Sequence, residues 1–176
     1  MGKWGTKLVK IVKDKNGKKI VTFEDVIFCG KRSIPWGEVE AYLACYAGHK
    51  LKIKDTGDII QIGRDFSDEF AGSTYTRKLK GALAKAKANI IQGIPELVAI
   101  AEKKRWNEDF NSRHKKRAEK GWYRYNTRFA LPVKDEAGNT VRYNNYQAVL
   151  IIRHASDNKM YLYDIQNIKK ETSNPS

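Results

Sequence analysis

Trp122-Tyr-Arg-Tyr-Asn-Thr-Arg-Phe-Ala-Leu-Pro-Val133, with the runs Tyr146-Gln-Ala-Val-Leu-Ile-Ile-Arg153 and Lys159-Met-Tyr-Leu-Tyr-Asp-Ile165 behind it, decides the fold. In the first run Tyr123, Tyr125, Phe129 and Leu131 alternate with Arg124, Asn126 and Arg128, the period of a strand with one buried face. The second run is almost unbroken apolar sequence and reads as a central strand covered on both sides. Asp135-Glu-Ala-Gly-Asn139 and Ser156-Asp-Asn158 are turn sequences, so the three runs predict an antiparallel meander.

Upstream, residues 65–104 change period. Leu79, Ala82, Leu83, Ala86 and Ile90 recur at helical spacing, and Arg77, Lys78, Lys80, Lys85 and Lys87 take the rest of the circumference. Gly93 ends that helix, and Pro95 suits the first turn of a second one, whose apolar stripe is Leu97, Ile100 and Ala101. Residues 105–120 are polar and weakly periodic and read as a loop or frayed helix. The N-terminal third reads as a hairpin over 7–28 turned by Asn16-Gly17, a short helix over Glu38–Tyr46 ended by Gly48, and a second hairpin over 51–62. The class is therefore α+β: two helices followed by an antiparallel sheet over residues 63–176, preceded by a small α/β extension over residues 1–62.

The chain of 176 residues carries 34 Lys and Arg against 20 Asp and Glu, a net charge of +14. A field of that sign favours polyanions and phosphate contacts that ignore base sequence. From Glu102 to Arg128 there are ten cations against four acids. With 41% hydrophobic residues the chain can bury a core, and no apolar run is long enough to cross a membrane. No signal peptide is evident, so a cytoplasmic protein is expected, with Cys29 and Cys45 as reduced core thiols.

P-loop, G-x-G-x-x-G, nucleophile-elbow and zinc-type spacings are missing, so neither metal nor cofactor is expected. Metal-free RNA cleavage needs a group that takes the 2′-hydroxyl proton, one that protonates the leaving oxygen, and a cation for the developing charge. His114, in the basic segment, is a candidate proton carrier or a solvated histidine; His154, at a strand end, is a substrate contact or a packed histidine. Arg128 and Arg153, inside apolar strands, are phosphate clamps or structural ion pairs. Tyr123 and Tyr125 stack bases or fill the core, with Arg124 beside them. Lys169, Lys170 and Thr172 border a phosphate site or form a solvated tail.

Five segments together resemble the barnase–EndoU–colicin–RelE-like nuclease domains of phages and mobile elements. They are Ile94-Pro-Glu-Leu97, the basic segment with His114, Gly121-Trp-Tyr-Arg-Tyr-x-x-Arg-Phe129, Tyr161-Leu-Tyr-Asp-Ile165 and Ile168-Lys-Lys-Glu-Thr-Ser173. The resemblance covers roughly residues 63–176. It implies two helices before a curved antiparallel sheet and metal-independent RNA cleavage, often as a toxin, at the concave sheet face. It also implies catalytic roles for His114, Arg128, Arg153 and Thr172. The expected function is a metal-independent ribonuclease acting by 2′-hydroxyl attack; the alternative is a non-catalytic RNA- or DNA-binding regulator or inhibitor. RNA is the expected partner, DNA a second one, and an acidic inhibitor protein a third.

Overall fold

The Asn16-Gly17 turn closes a hairpin between β1 (Val9–Lys13) and β2 (Lys19–Phe23). Gly17 adopts φ +80°, which costs glycine nothing, and the Asp14 carboxylate accepts the Asn16 and Lys18 amides to hold the turn. The chain then forms α1 (Trp36–Leu43) and a second hairpin, β3 (Lys50–Lys52) with β4 (Ile59–Gln61). These features belong to a computed structural model that describes residues 9–28, 33–107 and 121–171.

Short helices follow: α2 (Phe66–Gly72), α3 (Thr74–Lys78), α4 (Gly81–Asn89) and α5 (Ile94–Ala99). Two helices do not describe this region. Ser73, whose hydroxyl accepts the Thr76 amide, starts a new helix, and Leu79 and Lys80 are extended, so the periodicity that spans Leu79 to Ile90 is not one helix. The buried face of α4 is accordingly turned: Ala84, Ala86, Lys87, Ala88 and Asn89 are inside while Ala82 is exposed.

Lys87 is thus the reverse of the solvated cation its composition suggests. Its ammonium, fully buried, donates to Asp164 Oδ1 at 2.6 Å and Thr76 Oγ1 at 2.7 Å, and lies 4.5 Å from the centre of the Phe70 ring. A bulge in the last strand, β8 (Met160–Lys170), where the register slips between Ile151↔Asp164 and Ile152↔Leu162, accompanies the inward turn of Asp164. Burial pulls the ammonium below its usual range and pushes the carboxyl above its own, each against the attraction of the other.

The meander forms as the alternation predicts: β6 (Trp122–Lys134), β7 (Thr140–His154) and β8 (Met160–Lys170) pair antiparallel through tight turns. The sheet as a whole is mixed. β2 joins β6 in parallel at Val21↔Phe129, and β4 joins β8 in parallel at Ile60↔Met160; in each case a long stretch of chain with helices and other strands, rather than a tight turn, lies between the two. The resulting order is β1-β2-β6-β7-β8-β4-β3, with β5 (Glu102–Asn107) as a further partner of β6. Residues 105–107 are therefore strand, not loop: the free edge of β6 supplies the pairing that local sequence does not announce.

One core runs across position 63, from Val9 and Val21 to Ile165 and Ile168. α5 touches both β1 and β3, the two ends of the strand order, so the sheet curls around it into a half-barrel. Gly93 does more than end a helical segment: a Cβ there would lie 2.8 Å from Val9 and 3.0 Å from the Phe23 ring. Cys45 is exposed rather than a core thiol, and Cys29 lies outside the described residues. No described helix is long and apolar enough to cross a membrane.

Candidate nucleic-acid interface

β6 is longer than either strand on its outer edge. β5 covers it from Trp122 to Asn126 and β2 from Phe129 to Ala130, so the two partners diverge around Thr127 and Arg128. A cleft of about 500 Å³ opens there. On β6 the side chains of Arg124, Asn126 and Arg128 alternate with the core residues Tyr125, Thr127 and Phe129, which places Arg128 on the face turned away from the helices.

Five cations line the cleft: Lys18, Lys19, Lys103, Arg128 and Lys169. The amides Asn16, Asn126, Gln147 and Asn167, the Thr127 hydroxyl and the carboxylates Asp14, Glu102 and Glu171 complete its polar wall. Lys103 (φ +59°) and Asn167 (φ +52°) both sit at register slips, one in β5 and one in β8. Left-handed backbone at a non-glycine residue is costly, and here two such residues project into one cleft.

Arg128 is fully engaged. Its Nε and Nη2 donate to the two oxygens of Glu171 at 2.8 and 2.9 Å, and its Nη1 donates to Asp14 at 2.8 Å. The Glu171 hydrogen bonds, reinforced by Asp14 and opposed by partial burial, raise the guanidinium above its already high range. This side chain therefore ties the β1–β2 turn, β6 and the end of β8 together. Asp14 is held below the usual carboxylate range, first by the Lys18 amide and further by Arg128, against some desolvation. A carboxyl whose folded value is depressed contributes stability above its unfolded value near 3.8, lost as the pH falls through the folded one. Asp14→Asn is expected to flatten the acid side of the stability curve between about pH 5 and about pH 3; coincident curves for the variant and wild type would refute this.

The other strand arginine is elsewhere. Arg153 pairs in register with Trp122 and Arg128 with Gln147, which separates them by six residues of β6, roughly 20 Å. Arg153 lies over the Tyr161 ring, 4.4 Å from its centre. The two arginines do not converge on one phosphate. Tyr125 is fully buried and donates to Asp58 Oδ2, which also receives Thr56 and Lys104. Burial, then the Asp58 carboxylate, raises the Tyr125 phenol. It is a core residue in this structure, not a stacking surface. Tyr123 is half-buried, with Lys104 Nζ over its ring.

Arg124 faces Arg105 across the β5–β6 pair, and its guanidinium is lowered by burial first and by Arg105 second. His154 closes β7, 3.0 Å from Asn158 through Nε2. Lys169 and Lys170 are exposed on β8, Lys169 at the cleft. His114 and Thr172 lie outside the described residues. Asp14, Lys18, Lys19, Glu102, Lys103, Asn167 and Glu171 are among the cleft residues that sequence reasoning missed. Each is an ordinary polar residue whose position is made by a bulge or a strand pairing, and only the Asp14-x-Asn-Gly17 turn carries any local signal.

Among the described residues no group of three or more His, Cys, Asp or Glu is placed to hold a metal ion. The molecule is an α+β protein with a curled mixed sheet and a cationic, polar cleft beside Arg128. Comparison with protein-family models, curated proteins and solved structures gives no match for this chain.

Proposed function

We propose that the protein handles RNA, seating the phosphate backbone of a single strand in the cleft beside Arg128. The observation that carries this reading is the gathering of Lys18, Lys19, Lys103 and Lys169, from the first hairpin, β5 and β8, around one cleft in a chain of charge +14. The four ammonium groups are point charges for phosphates, and Asn126, Gln147 and Asn167 supply hydrogen bonds to sugar hydroxyls and base edges. Arg128 shapes the cleft, because its own donors are spent on carboxylates.

Metal-independent cleavage is the second reading, favoured by Glu102 on the cleft wall, since Glu171 is held by Arg128. A carboxylate there takes the 2′-hydroxyl proton, the oxygen attacks phosphorus, and the 5′-oxygen leaves with a proton to give a 2′,3′-cyclic phosphate. His114 is the sequence-based candidate for returning that proton, and the resemblance to phage and mobile-element nucleases agrees with this chemistry. The same cations suit an acidic inhibitor protein.

One experiment separates the readings. Labelled single-stranded RNA and DNA of one sequence are titrated in EDTA at about 50 and about 200 mM salt, and the RNA is then run on a denaturing gel. Neutralising four or five phosphates lowers affinity by roughly 10² between those salt concentrations. RNA bound intact supports a binder. Cyclic phosphate ends, with DNA uncut, support the nuclease. Binding that ignores salt, or none at low salt, removes RNA handling altogether.

A further inference from the structure

Asn126 lines the cleft with its carboxamide oriented by a neighbour outside it. Arg105 Nη2 donates to Asn126 Oδ1 at 2.9 Å, and Arg105 Nη1 donates to the Lys103 carbonyl at 2.7 Å. A guanidinium can only donate, so the end of the amide that meets Arg105 is its oxygen, and the nitrogen points the other way. Arg105 pairs in register with Arg124 and does not line the cleft, whereas Asn126 does, next to Thr127 and Arg128. The oxygen is therefore turned toward β5 and the Nδ2 group toward the cleft. Lys103 holds Arg105 in turn, with a left-handed backbone of φ +59° at the register slip of β5.

The cleft beside that donor suits a flat group. Val149 is the register partner of Asn126 on β7 and lines the cleft, half-buried, where it packs against Trp122, Ile151 and Tyr163. Gln147, two positions along and exposed, and Asn167, at φ +52° in β8, flank it on the cleft wall. Among the described residues the Asn126 Nδ2 group and the Gln147 and Asn167 amides make no side-chain hydrogen bond, so all three are available to a ligand.

We propose that Asn126 reads a base in the cleft and that Arg105 is its positioning residue: the amide, held donor-first, selects uracil over adenine. This rests on the RNA-handling reading and names what that site prefers. An unconstrained asparagine pairs well with adenine, giving one hydrogen bond from its nitrogen to N7 and accepting one from the N6 amino group at its oxygen. Here Arg105 holds the oxygen away from the cleft. Both N1 and N7 of adenine adjoin the N6 amino group, so adenine bound through either would leave that donor without its partner. Uracil has no amino group. Packed on Val149, it offers a carbonyl oxygen to Asn126 Nδ2 and its ring N–H to the oxygen of Gln147 or Asn167. The cleft lysines neutralise phosphates whatever base follows, so the preference comes from the amides.

The test measures binding of single-stranded uridylate and adenylate oligoribonucleotides of equal length, and of heparin, a polyanion without bases, to wild type, Asn126→Ala, Asn126→Asp and Arg105→Met. The readout is the ratio of uridylate to adenylate affinity, which a change in overall charge or stability does not move. Wild type is expected to prefer uridylate about three- to ten-fold, the effect of one hydrogen bond. Asn126→Ala should abolish the preference. Asn126→Asp, which keeps the shape and the bond to Arg105 but replaces the donor with an acceptor, should abolish or reverse it. Arg105→Met should lower the ratio by freeing the amide to turn and pair with adenine. Equal affinity of wild type for the two oligonucleotides, a preference for adenylate, or a ratio kept in Asn126→Ala overturns base reading while leaving RNA handling intact. A ratio lost in Asn126→Ala but kept in Arg105→Met overturns the positioning role. A wild type that binds heparin but neither oligonucleotide overturns RNA handling itself.

Discussion

Lys87→Met is expected to lower the free energy of unfolding by about 3–5 kcal/mol, the cost of leaving one member of a buried ion pair alone. Both side chains of the Lys87–Asp164 pair are fully buried. Without the ammonium, Asp164 keeps the Ile165 amide and Gln166 as its donors among the described residues, and must either hold a charge among apolar groups or take up a proton. Asp164→Leu alone is expected to be comparably damaging, since it strands the ammonium against Phe70 and Thr76. The double variant, Lys87→Met with Asp164→Leu, should recover most of the loss, because neither desolvation penalty remains. Urea unfolding of the four proteins reads this directly. A single variant within about 1 kcal/mol of wild type, or a double variant whose losses simply add, would show that the pair is not coupled in this way.

Arg128→Ala separates two roles for a strand arginine. A phosphate clamp predicts lost RNA affinity with the fold untouched. A tie between the first hairpin and β8 predicts lost stability first. The bidentate bond to Glu171 alone supports an expected loss of about 1–3 kcal/mol. Arg128→Lys should restore little, because a single ammonium cannot reproduce the fork that spans Glu171 and Asp14. Lys169→Gln, exposed at the same cleft, should leave stability unchanged and reduce the salt dependence of RNA binding by about one phosphate's worth. If Arg128→Ala melts like wild type yet loses RNA, the clamp is right and the ion pairs are incidental.

The meander, the two N-terminal hairpins and the turn at Asp14–Gly17 were legible because their signals are local: alternation with period two, and turn residues that tolerate left-handed backbone. The excess of cations was legible too, and it is what motivates the proposed function. Helical periodicity between Leu79 and Ile90 misled for an equally physical reason. Alanine and lysine fit either face of a helix, so it is the contact with β8, not the local pattern, that turns Lys87 inward and Ala82 outward.

By itself the sequence determined an α+β chain with a strongly basic surface and a three-stranded antiparallel centre. Tertiary structure alone decided that both hairpins add to that centre as parallel neighbours, that β5 takes the free edge of β6, and that a cleft opens where β5 and β2 part. It also decided which cations are spent. Arg128 and Lys87 look in the sequence like the lysines of the cleft, but one is held by Glu171 and Asp14 and the other by Asp164, partners 43, 114 and 77 residues away along the chain. Local patterning encodes which side chains face inward within an element. The pairing of charges across such separations is set by which strands meet, and that depends on the packing of the whole core.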